Sequence, residues 1–354
     1  MAARPRQLLR QRGVAVVTAL LLTTLAVTIV ASLFWQQQVQ VRSMENQRLQ
    51  FQTRWIVRGA LSLSRLILQV DFFSKGGLTI ENGIWAQPLE ETRIDDYIER
   101  EQRESENFNA TLSGQIVDAQ SRYNLTNLSN GRAISPTDVA MFERLLTQLQ
   151  LNPSLALPLA RQVASSQPAP TPATGAGAGT STGTGTGAGA GTGSTTAVQS
   201  GASGGTEPMG LVRVDDLLSV SGFTPQAMER LRDFLIILPQ RTLLNVNTAP
   251  AELLAALSPN LPLADATVMV NARKRGGFYL DVAGYKNQPQ LLAANRTPGD
   301  FDVKSNFFLV YSRVRLDRAA LDAVSLLQRN GTSGQSTVLW IRENENGDQR
   351  KREF

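Results

Sequence analysis

RPRQLLRQRG at residues 4–13 and VAVVTALLLTTLAVTIVASLFW at residues 14–35 are two halves of one signal, and the chain is organised around it. Arg4, Arg6, Arg10 and Arg12 crowd the first half without an acid. The second half is 22 uncharged residues long. At about 1.5 Å of helical rise per residue such a run crosses the roughly 30 Å hydrocarbon core of a bilayer. The next cation after the run is Arg42. The positive-inside bias therefore keeps the N-terminus cytoplasmic and sends the rest of the chain to the other side, a single-pass topology. A cleaved secretory signal peptide, with a cut near the small residues Ala31 and Ser32, is the rival reading, but its apolar core is usually about 7 to 15 residues.

Composition narrows the chemistry. The 354 residues are 42% hydrophobic and 18% charged, enough to bury more than one core. Four of the cations behind the formal +5 are the arginines before Gly13, so the basic balance reports topology more than an anionic ligand. There is no cysteine and no histidine. Disulfides, thiolate nucleophiles, iron–sulfur clusters and the usual neutral-pH base are thereby excluded, and no spacing of Asp, Glu, Ser or Lys argues for an enzyme.

From Trp35 to Gly59 no glycine or proline interrupts the chain, which predicts one helix over residues 14–75, with 14–35 in the membrane. From Val14 to Val70 it would be about 85 Å long. Ile56, Ala60, Leu63, Ile67 and Val70 recur at steps of four and three, which predicts the stripe that packs on a domain. Gly76-Gly77 should end the helix, and ENGIWAQPLEETRIDDYI reads as loop and a short edge strand.

In DAQSRYNLTNL (residues 118–128), Asp118, Asn124 and Asn127 are oxygen donors of the kind calcium takes; the same residues satisfy turns and cap helices, and turn chemistry is the expected role. Ser135 and Pro136 predict the start of a helix whose Val139, Phe142, Leu145, Leu146 and Leu149 face a core. Residues 165–206 are almost wholly Gly, Ala, Ser and Thr and read as a disordered linker. Beyond it, VDDLLSVSGFTPQAMERLRDFL predicts two helical segments, the second capped by Thr224, and a further helix is expected near Thr248.

The block up to DATVMVNARKRGGFYLDVAGY resembles a helix-hairpin-helix unit, the kind that cradles phosphate with glycine amides. Here the hairpin SPNLPLAD has Pro259 and Pro262 and no glycine, and Arg273, Lys274 and Arg275 read as a solvated face. From Asp302 the period becomes two. SNFFLVYSRVRL puts Phe308, Val310, Ser312 and Val314 on one face and Phe307, Leu309, Tyr311 and Arg313 on the other, and with ALDAVSLLQRN and TVLWIRE it predicts three antiparallel strands.

The fold expected is α+β. A long N-terminal helix (14–75) packs on a small antiparallel sheet built from 76–117 and 302–354, and a large helical domain (118–164 and 207–300) is inserted between strands.

Arginines ending at Gly13 before an apolar run resemble the leader of type IV pilin-like proteins. That resemblance implies cleavage by prepilin peptidase between Gly13 and Val14, with residues 1–13 as leader. In most of that superfamily the fifth mature residue is glutamate, and here it is Thr18. GIWAQP, DAQSRYNLTNL, LPQRTLLNVNTAPAELLAAL and VKSNFFLVYSRVRL to VLWIRE occur in the order seen in the general secretion pathway protein K family, which the chain resembles over most of its length outside the linker.

The resemblance implies a pilin-like fold. It implies a non-enzymatic minor pseudopilin at the tip of the type II secretion pseudopilus, joined to minor pseudopilins I and J above the major pseudopilin and anchored in the inner membrane with its C-terminal domain periplasmic. It raises calcium as a cofactor without assigning ligands. The alternative from another class is a membrane-tethered DNA receptor using the helix-hairpin-helix-like block, which would need a basic surface and the hairpin glycines.

Overall fold

The computed structural model describes residues 12–94, 110–167, 209–292, 296 and 298–344. The leader up to residue 11 lies outside the described residues, and so does the Gly/Ser/Thr/Ala-rich stretch from residue 168 to its end at 206. Helix α1 (Arg12–Ser74) is unbroken over 63 residues, about 95 Å at helical rise. From Ala15 to Arg48 every residue is exposed. Below that point α1 lies on a sheet. Gly76 and Gly77 both take positive φ, and the Gly77 N–H donates back to the Phe72 carbonyl at 2.9 Å, closing the helix end as expected.

The sheet has five antiparallel strands: the expected short edge strand, the three expected C-terminal strands, and one more between them. β1 (Leu89–Arg93), β2 (Ala110–Asp118), β3 (Phe307–Leu316), β4 (Ala319–Arg329) and β5 (Ser336–Glu343) lie side by side in that order. β2 pairs with β3 from Ala110↔Leu316 to Asp118↔Phe308. The chain leaves the sheet after Asp118 and re-enters it at Phe307, so everything between is an insertion whose two ends are neighbours on paired strands.

The period-two reading of β3 holds. Phe308, Val310 and Val314 pack with Leu61, Leu68 and Trp85 on the α1 side, while Phe307, Leu309 and Tyr311 pack with Ile236, Leu238 and Val324 on the other. The sheet is thus a middle layer buried on both faces, which is why β3 is apolar nearly throughout.

The stripe on α1 is rotated from the expected one. Thr53, Val57, Leu61, Ser64, Leu68 and Asp71 are the buried positions, whereas Leu63 is 47% and Val70 51% exposed. Ile56, Ala60 and Ile67 flank the contact. Three of the six buried residues are polar, so a search for apolar periodicity settles one position off.

In the insertion, α2 (Pro136–Gln148), α3 (Ala156–Ser166), α4 (Pro225–Leu231), α5 (Ala251–Leu257), α6 (Leu263–Lys274) and α7 (Val282–Lys286) surround a core of their own. Thr224 caps α4 by accepting from the Ala227 N–H at 3.3 Å, and the segment before it, Val214–Ser219, is a 3-10 turn. Ser135 occupies the N-cap position of α2, but its hydroxyl donates to Asp138 Oδ2 at 2.6 Å instead of accepting from the backbone. Helix α5 begins at Ala251, three residues past the expected start, with Pro250 in an extended conformation at its N-cap, while the Thr248 hydroxyl donates to Asp118 Oδ2.

Candidate functional site

Two regions carry the residues singled out by sequence. The first is the start of α1. Gly13 and Val14 lie in its first turn, and Thr18 donates its hydroxyl to the Ala15 carbonyl at 3.0 Å. Thr23, Thr24 and Thr28 bond their own helix in the same i to i−3 manner. A hydroxyl satisfied this way needs no partner from water or another chain, which suits a helix whose surroundings are hydrocarbon. The helix is long and apolar enough to cross a membrane, and its apolar window has none of its residues buried in the protein.

The second region is the DAQSRYNLTNL run, which clasps two distant segments. Asn127 exchanges hydrogen bonds with the backbone of Thr242. Asn124 accepts from the Thr126 and Leu238 N–H groups and donates to the Gln240 carbonyl at 2.8 Å. Gln120 donates to the Leu243 carbonyl at 2.9 Å and accepts from the Asn306 and Phe307 N–H groups, so one amide joins both segments.

Asp118 is the hub. One carboxylate oxygen accepts from the Gln120 N–H at 2.8 Å; the other accepts from Thr248 and Ser305 hydroxyls at 2.6 Å each and from Asn245 Nδ2 at 2.9 Å. Burial raises its pKa above the ordinary carboxylate value, and the bonds from Ser305, Thr248, Gln120 and Asn245 oppose that shift without cancelling it. The expected turn role is present, as the Gln120 bond, but it is a minor part of what Asp118 does.

The network continues to α1 through Arg329. This fully buried side chain donates to Thr79 Oγ1 and the Ser305 carbonyl, each at 2.8 Å, and reaches the Leu68 carbonyl at 3.4 Å. Its guanidinium lies between the rings of Phe72 and Phe308, 5.3 and 4.7 Å from their centroids. Burial lowers its pKa, opposed by the nearby carboxylates of Asp71 and Asp118. Gly334, at φ 68°, brings its backbone so close to Phe72 that a Cβ would lie 2.6 Å from the ring, so the ring is held from both sides. Nothing in the local sequence marks Arg329 as buried; a cation at the end of a strand ordinarily reads as surface.

Arg273 corrects the solvated-face expectation. It is 4% exposed and donates to the Val246 and Ala249 carbonyls at 2.8 and 2.9 Å and to Glu81 at 3.2 Å. Only Lys274 and Arg275 of that run face solvent. The α5–α6 hairpin has Pro262 at the α6 N-cap, where an amide donor is missing.

Calcium does not fit the three candidate oxygens. Such an ion takes about six to eight oxygen ligands. The oxygens of Asp118, Asn124 and Asn127 already accept from N–H and O–H donors, which a cation would have to displace. Among the described residues no three Asp, Glu, His or Cys side chains converge on a point.

Comparison with known proteins places these features in a family. The model described as "Type II secretion system (T2SS), protein K" matches residues 244–304, and a second with the same description matches residues 121–240; together they take in just over half of the chain. The type II secretion system protein K of Pseudomonas aeruginosa is 27% identical over 335 residues, 93% of this chain and 92% of its own length. That of Pectobacterium carotovorum is 25% identical, over 92% of this chain and 95% of its own length. The fold is similar to a chain of the GspK-GspI-GspJ complex from enterotoxigenic Escherichia coli, with a TM-score of 0.57 at 17% identity, covering 86% of this chain and 99% of that one.

Proposed function

Because this chain belongs to the type II secretion system protein K family, we propose that it is the non-enzymatic minor pseudopilin that starts and caps the pseudopilus, supporting export of folded proteins across the outer membrane. Prepilin peptidase cuts between Gly13 and Val14, and N-terminal sequencing should therefore begin at Val14. The N-terminus is cytoplasmic, α1 anchors the chain in the inner membrane, and the sheet with its inserted helix-hairpin-helix-like domain stands in the periplasm. Minor pseudopilins I and J are its neighbours, with the major pseudopilin below; the similarity to a chain of a complex of that composition supports the pairing.

The observation that carries the reading is Thr18, fifth from Val14, with its hydroxyl satisfied 3.0 Å from the Ala15 carbonyl. In a pilin-like filament the glutamate at this position would pair with the free amine of the subunit above. The topmost subunit has no such amine, and a carboxylate there would be an unpaired charge in an apolar setting. Threonine closes its own hydrogen bond and avoids that cost. The Val14 amine stays available to the glutamate of the next subunit, so this chain can begin a filament and is poorly suited to being added beneath another.

The test expresses wild type and Thr18→Glu beside the major pseudopilin and locates each by immunogold labelling. Wild type is expected at filament ends and the variant also along the shaft. Equal distribution along the shaft would sink the reading.

A further inference from the structure

Helix α6 is closed by two glycines. The Gly276 N–H donates to the Arg273 carbonyl and the Gly277 N–H to the Ala272 carbonyl, each at 3.0 Å, and Gly276 takes φ 98°. The chain is then pinned at Tyr279, which is buried, exchanges hydrogen bonds with Asn247 and meets the ring of Tyr285 at 5.0 Å between centroids. Phe278 and Leu280 flank this anchor. Successive side chains of extended backbone point to opposite sides, so both turn away from the core: Phe278 is 38% and Leu280 74% exposed.

These two apolar side chains stand among cations. Lys274 and Arg275 precede them, Lys286 follows Tyr285, and all three are exposed. None of the three is in an ion pair among the described residues. Arg275 bonds back to the Asn271 carbonyl at 3.3 Å and Lys286 Nζ lies 5.8 Å from the centroid of the Phe301 ring, contacts that leave both charges uncancelled. The one carboxylate in residues 274–286 is Asp281, whose Oδ1 accepts from the Gly284 N–H at 2.6 Å. Three cations against one carboxylate give this loop a positive surface.

The loop lies at the end of the chain's body remote from the membrane span. On the span side Arg318 pairs with Glu45, and at the other end of α1 Arg329 reaches the Leu68 carbonyl. Arg273 donates to Glu81, just past the last residue of α1, which puts the C-terminus of α6 beyond that far end. Trp35 to Ser74 is about 58 Å at helical rise. A tilt of about 40°, the upper end for membrane helices, shortens this only to about 45 Å. The bilayer that α1 crosses is therefore out of the loop's reach.

Apolar side chains that protrude singly beside Lys and Arg suit a lipid surface, where they enter the acyl boundary and the cations lie among phosphates. A bilayer accepts such side chains wherever they land, whereas a folded partner needs a pocket matched to each. We infer that the loop from Lys274 to Lys286 docks on an anionic bilayer surface other than the one that holds α1, with Leu280 and Phe278 entering it. The inference does not depend on Thr18 or on the order of filament assembly.

The test holds the full chain by α1 in nanodiscs of phosphatidylcholine and mixes them with sucrose-loaded vesicles, either of phosphatidylcholine alone or of phosphatidylcholine and phosphatidylglycerol in equal parts. Sedimentation then reads how much of the chain the vesicles carry down. The anionic vesicles are expected to bind at least about tenfold more tightly than the neutral ones, and less tightly as salt is raised. Leu280→Ser, and separately Lys274→Gln with Arg275→Gln, should each weaken binding about tenfold. All three side chains are exposed, so the melting temperatures should match wild type.

No capture by anionic vesicles would leave a protein as the occupant of the loop and overturns the inference. Equal capture by both vesicle types overturns it, and so does binding that either variant leaves unchanged. Should a variant fail to fold, a label decides the matter. The chain has no cysteine, so Ala283→Cys carries a single nitrobenzoxadiazole dye beside Leu280. Its emission should rise with anionic vesicles and not with neutral ones; no rise with anionic vesicles overturns the inference.

Discussion

Asn127 Nδ2 donates to the Thr242 carbonyl at 2.7 Å, and the Thr242 N–H donates to Asn127 Oδ1 at 3.0 Å. A side chain here completes a ladder rung for a backbone that lies 115 residues further on. Tyr279 is held in the same reciprocal way by Asn247, at 2.8 Å in both directions. The insertion therefore uses asparagine side chains where a sheet would use a second strand, which explains how segments paired over only two residues, such as Leu244–Asn245 with Phe301–Asp302, stay in register.

Replacing Asn127 by Asp keeps the acceptor and puts a second oxygen against the Thr242 carbonyl in place of the donor. We expect Asn127→Asp to lose about 1–3 kcal/mol of stability, comparable to Asn127→Ala. The urea midpoint measures it; an unchanged midpoint would mean that water replaces the bond without cost.

The second prediction concerns acid. The folded-state pKa of Asp118 is raised above 3.8 by burial, so the folded chain holds that proton more firmly than the unfolded chain. Its contribution to folding is full below the unfolded pKa and is lost as pH rises through the raised value. Wild type should therefore gain melting temperature relative to Asp118→Asn as pH falls from about 7 to about 4. A difference that stays constant over that interval would contradict the raised value.

Leu68 and Leu63 separate the observed register of α1 from the one its apolar residues suggest. Leu68→Ala should cost about 2–5 kcal/mol, because the side chain is wholly buried against the sheet. Leu63→Ala should change stability by less than about 0.5 kcal/mol. Denaturant titration of the two variants side by side is sufficient, and a reversed order would restore the expected stripe.

Arg329 is expected to resist conservative replacement. Arg329→Lys keeps the charge but cannot reach Thr79 Oγ1, the Ser305 carbonyl and the Leu68 carbonyl together, so we expect a loss of about 3 kcal/mol, close to that of Arg329→Met. Recovery of most of the stability by lysine would show that charge, and not the fork, is what the site needs.

The long helix, its glycine stop, the double-faced strand β3 and the Pro136 and Thr224 helix starts were legible because each is a local pattern. β2 carries no regular alternation that would mark it as a strand. Ser113, Gly114 and Gln115 break its alternation, and Gly114 is there because a Cβ would meet the Tyr311 carbonyl oxygen at 2.5 Å. The α1 register is not legible from apolar spacing because Thr53, Ser64 and Asp71 occupy buried positions. In the clasp, the residue types that turns prefer are visible in DAQSRYNLTNL, but their partners lie more than 100 residues away and cannot be read from spacing. Arg273 and Arg329 were hidden for the same reason: a buried cation is recognisable only once the carbonyls around it are known.

The insertion leaves the sheet at Asp118 and returns at Phe307, beside one another on β2 and β3. Mechanically this makes it a side-branch. A push or pull delivered along α1 passes into the sheet through the Leu61–Leu68 contact and the Arg329 fork, and it does not have to travel through a body whose two attachment points coincide. The inserted domain can thus be carried along with α1 and the sheet without its backbone lying on that path.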